Sequence, residues 1–244
     1  MSTRVAVVTG GGSGIGRATC TRLTADGFTL AVLDVDGDAA AVAAGPDGLG
    51  CAADVADREA VDAAFGQVVA AFGRIDVLVN NAGVSGTADA TVCHETTVEE
   101  WDRVLAINTR GPFLCSRAAL PVMLAQCDGH VITVASVAGQ VAFPGRCAYT
   151  ASKGAALMFA KSLAADYAGA GIRSNAVCPG FVRTPMTQWR LDVPELREQV
   201  EARIPTGRVA EPDDIADAIA VLASGRLGYM TGAALVVDGG WTVL

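Results

Sequence analysis

The sequence predicts an α/β fold, a doubly wound parallel sheet in a single domain of residues 1–244. Three observations lead there. Short runs rich in β-branched residues alternate with Ala-rich stretches of helical period. Most of those runs are continuously apolar, as strands are when helices cover both faces of a parallel sheet. The chain has 244 residues, 51% apolar and 18% charged, which is ample for one large core and too apolar for disorder.

The elements follow in order. The first strand, residues 4–9, ends in Thr9-Gly10-Gly11-Gly12-Ser13-Gly14-Ile15-Gly16, and a helix of residues 14–25 opens from that turn. Glycines there permit a tight turn and a close backbone approach to a pyrophosphate, and the helix N-terminus offers free N–H groups. Placed after the first strand, the cluster marks a Rossmann-like dinucleotide turn, with Gly10, Ser13, Gly14, Ile15 and Gly16 as contacts. The second strand, 29–34, ends in Asp34. A carboxylate there accepts hydrogen bonds from ribose hydroxyls and repels a 2′-phosphate, so NAD is expected rather than NADP. Val35 and Asp36 follow without a basic residue; only Arg17, near in sequence, softens the preference.

The Ala/Gly-rich stretch 39–48 is read as a short helix and loop. The third strand, 50–54, ends in Asp54-Val55. Asp54 has two readings, a partner for the adenine amine or the N-cap of the next helix, 57–72. After the fourth strand, 77–80, comes Asn80-Asn81-Ala82-Gly83. Its amides can fasten the sheet edge to neighbouring loops, and Gly83 leaves room for a ribose. Asn108 sits in a helical stretch, where its side chain either bonds backbone or holds a water.

The fifth strand, 130–136, ends in Ser136, whose hydroxyl is expected to point into the crevice and support a developing alkoxide. The helix 149–167 opens with Tyr149-Thr150-Ala151-Ser152-Lys153, which puts a phenol and an ammonium on one face. A free tyrosine with a pKa of ~10 is a poor base at neutral pH, and a nearby cation stabilises its phenolate. Together these residues predict a site that moves hydride between NAD and a carbonyl/secondary-alcohol pair. The sixth and seventh strands are 174–178 and 234–238. Between Pro179 and Ile215 two short helices interrupt the rhythm, and residues 183–212 are read as a substrate lid.

Composition removes other classes. A net charge of −8 argues against nucleic acid or an anionic membrane as partner. Seven cysteines without a C-x-x-C pair, and only His94 and His130, give no metal site and suggest reduced thiols in the cytoplasm. The N-terminal Met1-Ser2-Thr3 leads straight into a strand, so no export signal is expected. No apolar run approaches a membrane span. Cys147 lies two residues before Tyr149 and is given no chemical role.

The ordered set Thr9-Gly10 through Gly16, Asn80 through Gly83, Asn108, Ser136, Tyr149/Lys153, Pro179-Gly180 and Asp238-Gly239-Gly240 resembles the short-chain dehydrogenase/reductase family over essentially the whole chain. The resemblance implies that Tyr149 is the general acid/base, that Ser136 orients the carbonyl, and that Lys153 binds the nicotinamide ribose and lowers the tyrosine pKa. It further implies that Asn108 positions a relay water, and that Val182 and Thr184 join Pro179 and Gly180 at the nicotinamide. It implies a homotetramer, paired through helices near 101–126 and 149–167.

Specificity is expected in residues 85–95, 137–146 and 186–204. Arg146 lies three residues before Tyr149, and Arg190 lies in the lid. They are either surface cations, with Asp192 or Glu195 as salt-bridge partners, or a clamp for a carboxylate, phosphate or sulfonate. The segments 141–146 and 185–190 resemble a family member acting on a small anionic secondary alcohol, which implies the clamp and places Met186 and Trp189 along the substrate path. A 3-oxoacyl-carrier-protein reductase, a neutral-alcohol or polyol dehydrogenase and a non-catalytic NAD-binding regulator stay open at this point.

Overall fold

The computed structural model describes residues 3–87 and 90–243. Met1, Ser2, residues 88–89 of the predicted specificity stretch 85–95, and Leu244 lie outside the described residues. Strands β1 (Val5–Thr9), β2 (Thr29–Asp34), β3 (Leu49–Ala52), β4 (Val77–Asn80), β5 (Gly129–Val134), β6 (Ile172–Pro179) and β7 (Ala234–Val237) form one parallel sheet in the order β3-β2-β1-β4-β5-β6-β7. The order reverses between β1 and β4, and in such sheets ligands sit beyond the strand carboxyl ends at that point. The doubly wound, Rossmann-like class read from the sequence is the fold observed.

Helices α1 (Gly14–Ala25), α2 (Gly37–Ala44), α3 (Arg58–Phe72), α4 (Val98–Leu105), α5 (Gly111–Gln126), α6 (Cys147–Tyr167), α7 (Pro185–Leu191), α8 (Pro194–Glu201) and α9 (Pro212–Ala223) complete the chain. Alternate residues of each strand point to opposite faces, and two cores result. Ala6, Val8 and Val32 pack with Leu23 of α1 and Ile215, Ile219 and Leu222 of α9. Val7, Leu33 and Leu78 pack on the other face with Phe65 of α3, Met123 of α5 and Leu163 of α6. A third cluster, around Leu191, Val200, Ile204 and Trp241, lies under α7 and α8.

Element ends depart from the expected ones for local reasons. The predicted helix 57–72 begins at Arg58 because Asp57 is its cap, accepting from the amides of Glu59 and Ala60. The N-cap reading of Asp54 is therefore met by Asp57 instead. Strand β5 stops at Val134, short of the predicted 136, because the Ser136 hydroxyl accepts from the Ala138 amide and starts a 3-10 turn. The stretch 101–126 is not one helix: a π-turn at Ala106–Arg110 separates α4 from α5. Among the described residues no helix is long and apolar enough to cross a membrane, and no cluster of metal-ligating side chains occurs. All seven cysteines are free; burial pushes the Cys20 and Cys115 thiols up to about 12, as small apolar core residues.

Candidate active site

The turn after β1 is shaped by what a side chain would strike. Gly10 and Gly14 adopt φ of 62° and 49°, in the left-handed region. A Cβ on Gly16 would lie 2.0 Å from the Gly10 carbonyl oxygen, so the first turn of α1 sits directly on the loop. The Asn81 amide donates to the carbonyls of Thr9 (2.9 Å) and Gly10 (3.0 Å), tying β4 to the loop. Ser13 makes no side-chain cap bond, so the first N–H groups of α1 keep no side-chain acceptor at the N-cap.

Asp34 is fixed rather than loose. One carboxylate oxygen accepts from the Gly12 amide at 2.8 Å and the other from the Asp36 amide at 3.1 Å. Its remaining lone pairs are available to ribose hydroxyls. Asp54 accepts from the Ala56 amide at 2.9 Å. Both aspartates line a cavity of about 400 Å³ that also takes in Gly10, Ser13, Gly14, Ile15, Val55, Asn81, Ala82 and Gly83. A glycine cradle, an uncapped helix start and an anchored carboxylate in one cavity fit a dinucleotide.

The same cavity is lined by Ser136, Tyr149, Lys153, Pro179, Gly180, Val182, Thr184 and Met186. Gly16 lies behind the loop and Asn108 is buried behind the wall; Arg146, Trp189 and Arg190 are likewise outside the lining. The sequence reading missed Val84, Ile107 and Thr187 as lining residues. Thr187 carried a signal: Thr184 and Thr187 have cap spacing, and they form the capping box of α7.

Burial governs the charges of Tyr149 and Lys153. It raises the Tyr149 phenol above its ordinary 10.0, and a hydrogen bond with Ser136 pulls it only partly back. Lys153 is buried, and desolvation lowers its ammonium to about 8. Its Nζ donates to the Val134 carbonyl at 2.9 Å and lies 5.9 Å from the Tyr149 ring centroid. The shift of the phenol is upward and set by desolvation, not the downward shift expected from Lys153. The Asn108 side chain is nearly saturated. Its Nδ2 donates to the Val84 carbonyl (2.8 Å) and Ser152 hydroxyl (3.0 Å), and its Oδ1 accepts from the Val84 amide (2.8 Å). It thereby fastens the segment after β4 to α6. A Cβ on Gly83 would come within 3.2 Å of Asn108 Oδ1 and 3.4 Å of Lys153 Nζ.

Arg146 starts α6, and its Nη1 donates to the carbonyls of Thr87 (2.9 Å) and Ala90 (3.4 Å). Arg190 lies on α7; its Nε is buried and has no partner. Asp192 instead accepts from Gln188 at 2.6 Å. No ion pair with a carboxylate forms at either arginine among the described residues. Trp189 is 57% exposed on the lid.

A family model described as enoyl-(acyl carrier protein) reductase matches residues 10–242. The chain is 52% identical to 2-(R)-hydroxypropyl-CoM dehydrogenase of Xanthobacter autotrophicus, over 99% of both chains. It is 39% identical to 2-(S)-hydroxypropyl-CoM dehydrogenase 3 of the same organism, over 100% of this chain and 98% of the relative. Among solved structures, the crystal structure of gox2181 superposes with a TM-score of 0.95 at 35% identity, over 100% of this chain and 97% of that one.

Proposed function

The chain belongs to the short-chain dehydrogenase/reductase family, and we propose that it interconverts a secondary alcohol and a ketone with NAD, on a small substrate with an anionic tail such as 2-(R)-hydroxypropyl-coenzyme M. The observation that carries the chemistry is a single cavity joining the glycine loop and Asp34 to Ser136, Tyr149 and Lys153. NAD, when bound, supplies the hydride acceptor for oxidation. The protein's own groups do the rest. The backbone from Gly10 to Gly16 and the start of α1 hold the pyrophosphate, and Asp34 accepts from the adenosine ribose. Asp54 and Val55 flank the adenine, and Asn81, Ala82 and Gly83 flank the riboses. Pro179, Gly180, Val182 and Thr184 hold the nicotinamide end.

Ser136 donates to the substrate oxygen. Tyr149 takes the alcohol proton in oxidation and returns it in reduction. Because burial raises the phenol, its ionised form depends on the Lys153 cation, whose Nζ also serves the nicotinamide ribose. Asn108 keeps the wall at Val84 in place, and its place in a proton relay rests on the family resemblance alone.

The anionic tail rests on Arg190. A buried guanidinium nitrogen without a partner is costly, and an anion would repay it. In a chain with 26 acidic and 18 basic residues, Arg146 and Arg190 still form no ion pair among the described residues. Met186 and Trp189 lie between the lid start and Arg190, where they suit an apolar linker. Seven free thiols suit a reducing cytoplasm, and exposed Trp101, Phe113 and Met158 suit burial between subunits of a homotetramer.

The test is initial rates with NAD and NADP against anionic and neutral secondary alcohols. NAD should be preferred, and replacing both Arg146 and Arg190 by alanine should raise KM for the anionic substrate by on the order of 100-fold, with little change for a neutral alcohol. Preference for NADPH with an acyl thioester would replace this reading by a carrier-protein ketoreductase. Equal effects on both alcohol classes would remove the clamp.

A further inference from the structure

The lid's packing carries an inference beyond the active-site chemistry. Helices α7 and α8 have only seven and eight residues, too few to hold themselves in place. Their apolar side joins neither sheet core. Leu191, Val200 and Ile204 pack instead in a separate cluster with Trp241, near the C-terminus. Trp241 is 9% exposed and lines no part of the active-site cavity.

Its indole is a junction. Phe143, in the segment leading to Arg146 and Tyr149, lies 5.4 Å away between ring centroids. Phe181, between the cavity-lining Gly180 and Val182, stacks on it at 6.2 Å and 26°. The Arg203 guanidinium, at the end of the lid, sits over it at 5.0 Å. The tryptophan therefore touches the lid, the segment before the catalytic helix and the segment after β6 at once.

The corner that carries it is fixed independently. The Asp238 carboxylate accepts from the amides of Gly240 and Thr242, both at 2.8 Å, and from the Thr242 hydroxyl at 2.7 Å. These bonds hold the Asp238 carboxyl below its ordinary value despite burial. Gly239 and Gly240 have φ of 65° and 91°. A Cβ on Gly239 would lie 2.5 Å from the Thr206 hydroxyl, and one on Gly180 would lie 2.8 Å from the Asp238 Cα. The corner is pinned from three sides while the lid rests on the indole it presents.

We propose that Trp241 is the positioning residue that sets the lid against the active site, and so controls substrate affinity without touching substrate or cofactor. Trp241→Ala should raise KM for the best secondary alcohol about 10-fold while kcat stays within about threefold, because Tyr149 and Lys153 stand on α6 and Ser136 on the turn after β5. Trypsin should cut at Arg197 on α8 about 10-fold faster in that variant, a readout that needs no substrate. Trp241→Phe, which keeps a ring on the junction, should restore both readouts to within about threefold. Phe143→Leu, which loosens only one spoke, should raise KM by about threefold, and it tests the idea if the alanine variant does not fold.

An unchanged KM together with unchanged cutting at Arg197 would overturn the proposal. So would parallel loss of kcat, NAD affinity and resistance to cutting throughout the chain, which would mark a general stabilising role. If the wild-type protein turns over no secondary alcohol, the reading of its function fails, yet the trypsin comparison still decides the role of Trp241.

Discussion

Replacing Lys153 by methionine should abolish turnover and yet stabilise the fold at neutral pH. Burial holds the folded-state ammonium at about 8, against an ordinary 10.5. At ~1.4 kcal/mol for each factor of ten, keeping that charge buried costs about 3 kcal/mol below pH 8. Methionine has a similar length and leaves the Val134 carbonyl without its 2.9 Å hydrogen bond, which returns about 1 kcal/mol of the gain. The variant should be more stable by about 2 kcal/mol near pH 7. A lysine with a depressed folded-state pKa binds fewer protons in the folded than in the unfolded state between about 8 and 10.5. Wild-type stability from this group therefore rises with pH across that window, and its cost is complete below it. The advantage of the variant should shrink as pH climbs. Urea midpoints for both proteins near pH 7 and about pH 9.5 measure it. A variant no more stable than wild type at neutral pH, or an advantage that widens with pH, would refute the reasoning.

Tyr149→Phe should cut turnover by on the order of 1,000-fold with NAD affinity nearly unchanged; near-normal turnover would displace Tyr149 as the acid/base. Because burial raises its phenol, the cofactor-free protein should show no Tyr149 ionisation below its ordinary value of 10.0, checked by the ultraviolet difference titration of wild type against that variant. His130 is buried between the Leu222 carbonyl (3.2 Å) and the Asn175 amide (2.9 Å), and desolvation lowers it to about 3 from 6.5. The unfolded chain then binds more protons between those values, so about 3 kcal/mol of stability should be lost from pH 6.5 to about pH 4. His130→Gln should flatten that acid limb in urea titrations, and an unchanged limb would place the acid sensitivity elsewhere.

The sheet was legible because its signal is local. β2 and β4 fall on the residues their apolar runs predict, and the glycine turn announces α1. What was hidden depends on contacts across the chain. Nothing near Asn108 says that Val84 will take up its amide from 24 residues away. A spacing of four put Tyr149 and Lys153 on one face, but the direction of the phenol's shift is set by desolvation in the folded cavity. Arg146 and Arg190 were visible as cations near the site. Whether carboxylates quench them is a question of folded geometry, and Asp192 is engaged by Gln188 instead.

The separation of cores bears on how such a site acquires a substrate. Tyr149 and Lys153 stand on α6 and Ser136 on the turn that follows β5, and both elements are seated in the large cores of the sheet. Met186, Trp189 and Arg190 stand on α7, whose burial depends on the small cluster around Trp241. On the proposed reading, replacing a residue of α7 would change what the lid offers the substrate without disturbing α6 or the turn after β5. The acid/base groups and the substrate-selecting residues of that reading are held by different packing, and the two parts meet where Thr184 reaches the glycine loop. A Cβ on Gly14 would lie 3.3 Å from the Thr184 side chain. On the proposed reading, a dinucleotide in the cavity would bear on the lid at Thr184, while Trp241 would fix the lid's far end.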